Sequence, residues 1–140
     1  MAKRLKVFIG LASLLLVATA ALLIWKNSDQ RQDHINLIRV DTPHPNQMIQ
    51  SPLFISGQAR GMWYFEATFP VEILDDRGNV LARGAAQAQG EWMTDQFVPF
   101  RAELQFSNPS SKTGTLVLEK SNPSGLVENA ASIKIPVHFK

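Results

Sequence analysis

Cysteine is absent from the 140 residues, and that one absence removes disulfides, lipid attachment through a thiol, thiolate metal sites and a cysteine nucleophile. Histidine is scarce as well: His34, His44 and His138 are the three available, and they fall in a polar linker, a proline-flanked turn and the last strand-like segment. That spacing offers no shared metal or catalytic centre. Ser124 lacks the Gly-x-Ser-x-Gly context of an activated nucleophile. Basic residues form no patch for nucleic acid, and no amphipathic helix is evident in the second part of the chain. The composition therefore predicts a non-enzymatic protein without cofactors.

Charge is missing altogether from Val7 to Trp25, nineteen residues bounded by Lys3, Arg4 and Lys6 on one side and Lys26 on the other. As a helix this run would measure roughly 28 Å, close to the hydrocarbon thickness of a bilayer. Its leucine, isoleucine, valine and phenylalanine side chains each favour insertion by about 0.3 to 0.6 kcal/mol near the centre. Ala18-Thr19-Ala20 fits a signal-peptide cleavage pattern, and a secreted domain is the alternative. Leu22-Leu23-Ile24-Trp25 carries the apolar run past that point, which favours a retained single-pass anchor. The basic start then stays in the cytoplasm, and everything after Lys26 lies outside the cytoplasmic membrane. The chain divides into a basic start (1–6), a transmembrane helix (7–25), a linker (26–34) and one domain (35–140). The linker, Lys26 to His34, has no apolar residue and could span at most about 30 Å.

Beyond the linker the apolar period is two. Phe65, Ala67, Phe69, Val71 and Ile73 alternate with polar residues or proline, as do Val98 to Phe106 and Ile133 to Phe139. Weaker strands are expected at 35–40, 53–59, 80–88 and 115–119. Turn chemistry separates them at Pro43 to Asn46, Asp75 to Asn79, Ser107 to Ser110 and Ser121 to Gly125. Asp75 to Asn79 lacks the ligand spacing of a calcium loop and reads as a hairpin turn in which Gly78 or Asn79 takes a positive φ. The twice-occurring Ser-Asn-Pro-Ser string marks two similar turns at the ends of one strand. About seven short strands point to an immunoglobulin-like β-sandwich, with a small barrel as the alternative. Pro70, Pro99 and Pro136 fall on outward positions and mark candidate edges or bulges.

Several segments together, Phe69-Pro70-Val71, Asp75 to Gly78, Gly90-Glu91-Trp92-Met93-Thr94, Phe97-Val98-Pro99-Phe100 and Asn122-Pro123-Ser124-Gly125, resemble the immunoglobulin-like domain of bacterial spore-germination proteins. The resemblance runs from about Ile38 to Phe139. It implies a bacterial envelope protein whose domain serves recognition or assembly, and it carries over no catalytic residues. Alternation from Trp63 places Trp63 with Phe65 and Phe69 on the core face and leaves Tyr64 outside. Tyr64, Glu91, Trp92, Met93 and Thr94 are then the candidate contact surface, its partner an envelope protein or, alternatively, cell-wall glycan.

The topology has a direct test. On fractionation, the full chain is expected with the membranes and with its own N-terminus intact; a soluble mature form beginning near Ala21 would replace the anchor with a cleaved signal peptide.

Overall fold

The computed structural model describes residues 36–140, so the expected membrane helix, the linker and His34 lie outside the described residues. The domain is all-β. Its strands are β1 (Ile38–Thr42), β2 (Gln47–Ile49), β3 (Leu53–Arg60), β4 (Thr68–Asp75), β5 (Val80–Ala88), β6 (Phe97–Leu104), β7 (Thr113–Glu119) and β8 (Ser132–Phe139). One residue row of each strand faces inward, as the burial alternation of β3, β4 and β6 shows.

Alternation predicts seven strands, and the structure has eight. The extra one, β2, has only Ile49 buried, and three residues are too few to display a period of two. A second difference concerns closure. All eight strands belong to one curled sheet, in the order β1-β3-β6-β5-β4-β7-β8-β2, where two separately edged sheets were expected. The link is β5. It pairs with β4 from Thr68↔Gln87 to Leu74↔Val80 but with β6 only through Gln87↔Arg101 and Ala88↔Phe100. Ala82, Gly84, Ala86 and Ala88 share the inward parity of β5, and this row of small residues lets the sheet fold over on itself. A β-carbon on Gly84 would stand 2.8 Å from Leu104 Cδ2. At the other side the two edge strands, β1 and β2, are successive in sequence and joined by the Pro43 to Asn46 turn. Each edge is short, which leaves little unpaired backbone for another chain.

The three outward prolines lie inside the sheet, not on its edge strands. Each stands one residue before a second ladder begins. Pro70 faces Ala85 while the β4–β7 pairing starts at Val71, and Pro99 faces Gln58 while β5 reaches only Phe100 and Arg101. Pro136 faces Thr115 while β2 pairs from Val137. A residue without an N–H cannot donate to a ladder, so pairing on that side starts with the next residue.

The core is aromatic at its centre. The Phe69 ring on β4 lies 5.0 Å from Phe100 on β6, 5.3 Å from Tyr64 and 6.4 Å from Trp63. Alternation had started β4 at Phe65, but a tight turn intervenes: Glu66 and Ala67 take φ of 50° and 63°. The Phe65 and Thr68 amides donate to each other's carbonyls at 2.9 and 3.1 Å. Two left-handed residues break the period. Phe65 is therefore 46 % exposed and Tyr64 only 4 %, the reverse of the expected assignment.

Phe69→Ala and Phe100→Ala are each expected to cost about 3 to 5 kcal/mol, read as lowered urea midpoints with an unchanged β spectrum in the surviving folded state. Gly84→Val should also destabilise by driving a branched side chain against Leu104; unchanged midpoints for all three would contradict this packing.

Candidate functional site

Strand directions sort the connections into two groups. Asn36, the β3–β4 connection, the β5–β6 loop and the β7–β8 connection gather at the end where the described chain enters. The remaining connections and Lys140 lie at the opposite end. The entry end carries five of the large exposed apolar side chains: Met62, Phe65, Met93, Leu126 and Val127.

Its connections are fastened to one another. Gly61 sits directly beneath the carbonyls of Trp92 and Thr94, and a β-carbon there would collide with both. Arg60 reaches two segments at once, with Nε donating to the Asn36 carbonyl at 2.7 Å and Nη1 to that of Asp95 at 2.8 Å. The Ser121 amide donates to the Trp63 carbonyl, and the Ser121 hydroxyl to that of Thr68 at 2.8 Å. The Ala88 amide donates to Ala67 at 2.8 Å. Within the β7–β8 connection the Ser124 hydroxyl donates to Asn122 Oδ1 at 2.6 Å, and Gly125 takes a φ of 68°.

Four of the five candidate surface residues lie together on the β5–β6 loop. Glu91 and Thr94 spend part of their polar capacity on the loop itself, accepting from the amides of Met93 (3.3 Å) and Gln96 (3.2 Å). The Thr94 amide donates to Trp92 at 2.8 Å. Trp92 is half-buried and packs against the core cluster, which leaves Met93 as the tip, 74 % exposed. The fifth residue does not join them. Tyr64 belongs to the core, where its hydroxyl donates to the Val98 carbonyl at 2.7 Å, and burial pushes its phenol up to about 12. The left-handed pair at Glu66 and Ala67 is the reason, since it removes the alternation from which an outward Tyr64 was inferred.

Sequence reasoning missed Phe97. Its ring lies on the outward parity of β6, with the guanidinium carbons of Arg39 and Arg60 at 4.3 and 4.6 Å from its centroid. An outward phenylalanine opening a strand was the available signal, but its arginine neighbours come from two distant strands. At the opposite end, Asp75 Oδ1 accepts from the amides of Arg77 and Asn79, and Gly78 takes a φ of 83°. Those bonds, led by the Asn79 side-chain amide on Oδ2 at 2.8 Å, hold the Asp75 carboxyl below its ordinary range. The loop's oxygens thus serve its own hairpin. Among the described residues no group of three histidine, aspartate or glutamate side chains converges on a common point.

A family model described as the immunoglobulin-like domain of bacterial spore germination matches residues 37–125. No curated protein and no solved structure matches the chain.

Tyr64 sets a pH dependence. Because its folded pKa lies above the unfolded value, the stability it contributes is full below about pH 10 and is lost as the pH climbs toward 12. Tyr64→Phe should flatten the fall in urea midpoint across that window and cost about 1 kcal/mol at neutral pH for the lost hydrogen bond.

Proposed function

The chain belongs to the family of immunoglobulin-like domains of bacterial spore germination, the match covering residues 37–125 of its 140, and on that premise we propose that it is a non-catalytic, membrane-anchored module for protein–protein interaction or envelope assembly outside the cytoplasmic membrane. The observation that carries this reading is the β5–β6 loop. Its backbone is braced from beneath by Gly61 and from the side by Arg60, while Met93 at the tip remains 74 % exposed. A loop already held in shape loses little entropy on contact, and methionine adapts to the surface it meets. Half-buried Trp92 beside it adds the aromatic area that interfaces favour.

The placement outside the membrane rests on the uncharged run from Val7 to Trp25 and its basic flank. A linker of at most about 30 Å keeps the partner within reach of the membrane surface. Glycan binding finds less support, because Tyr64, an aromatic on the expected contact surface, is committed to the core.

Crosslinking in intact cells tests the assignment. Met93→Ser should leave stability within about 0.5 kcal/mol of the parent, as for an exposed site, and should lose the crosslinked envelope partner. A folded Met93→Ser chain that keeps its partner would overturn the loop as the interface. One that keeps its partner but no longer adheres to purified wall glycan would shift the assignment to the sugar.

A further inference from the structure

We propose that Arg39 and Arg60, stacked on Phe97, form a phosphate-binding site at the entry end of the domain. The three residues come from β1, β3 and β6 and meet on the outer face of the sheet, Arg60 directly opposite Phe97 in the ladder. With guanidinium carbons 4.3 and 4.6 Å from one ring centroid, the two cations stand less than 9 Å apart. The ring's π electrons attract both, yet the ring carries no net charge to neutralise them.

Among the described residues neither arginine forms an ion pair. Arg60 donates to two carbonyls, those of Asn36 and Asp95, which fix its orientation and leave its charge intact. Arg39 is exposed and makes no hydrogen bond or ion pair among the described residues, where the ion pair formed is Arg83 with Glu72. Asp41, two residues from Arg39, and Asp95, whose carbonyl Arg60 holds, form an ion pair with neither arginine. Arg39, with its fork unengaged among the described residues, can grip a phosphate through parallel N–H bonds, and Arg60, oriented by its two carbonyl contacts, adds its remaining Nη–H donors and its charge.

The group's source is either a phospholipid headgroup or free phosphate. The first follows only if the chain is membrane-anchored: Arg60 binds the carbonyl of Asn36, which stands eleven residues after Trp25 in the sequence, so a linker of at most about 36 Å leads from the apolar run to this site.

The full chain in detergent, with its arginine Nε–H signals resolved by nuclear magnetic resonance, gives the test. Inorganic phosphate should shift the Arg39 and Arg60 signals saturably, and acetate far more weakly. Arg39→Gln should weaken phosphate binding about tenfold. Arg101→Gln, which removes the same charge from an exposed position on β6, should change it less than about twofold if the stack and not overall charge is responsible. Equal losses for the two variants, equal shifts with acetate, or no saturable shift would overturn the site. In vesicles of phosphatidylglycerol, the same Arg39 shift identifies the headgroup as the source; its absence there, with the response to inorganic phosphate retained, identifies free phosphate and leaves the site standing. A chain that fails to associate with the vesicles at all refutes the anchor without touching the phosphate titration.

Discussion

Everything in this domain hangs on the contact between Phe69 and Phe100. The two rings, 5.0 Å apart and nearly perpendicular, join strands that are not hydrogen-bonded to each other. With no cysteine in the chain, no disulfide can do that work, and the two halves of the curled sheet are held by packing and by the short ladder between β5 and β6. Trp63 and Tyr64 close over the same ring from the connection between β3 and β4. The segment that crosses from one half to the other therefore also plugs the end of the core. Loop positions at the entry end inherit their order from that plug: Gly61 precedes it by two residues and supports the β5–β6 loop.

Strands with large inward residues were legible from sequence because side-chain direction alternates strictly along an extended chain. β4, β6 and β8 announce themselves through phenylalanine, valine and isoleucine. β5 is harder to read for a reason that is itself structural. Its inward row is Ala82, Gly84, Ala86 and Ala88, small because the sheet bends there, so the position with the sharpest geometric demand carries the faintest hydrophobic signal. The expected pair of open sheets became one curled sheet through this strand, a distinction that depends on two residue pairs and has no trace in periodicity.

The candidate surface divides along the same line between local and distant information. Glu91 to Thr94 stayed together because a loop between two recognisable strands must be exposed somewhere. Tyr64 was misplaced because Glu66 and Ala67 adopt left-handed backbone without the glycine or asparagine that usually signals it. The arginine stack was invisible for a different reason: Arg39, Arg60 and Phe97 meet only once the register of three strands is fixed. Outward parity of each could be read; their coincidence could not.

The parallel pairing of β2 with β8 has a mechanical meaning. The described chain enters at one end of the domain and finishes at the other, and β8 is its last strand. Tension applied between the two termini pulls β2 toward the entry end and β8 toward the opposite one, so the Gln47 to Ile49 ladder is loaded lengthwise in shear. Bonds loaded in that direction share the force and must fail together, whereas a hairpin pulled from its open end gives way one bond at a time. Resistance to extension is then a property of the unfolding rate under load rather than of equilibrium stability. In a domain pulled by its two ends, three residues too short to be noticed in the sequence act as the clasp.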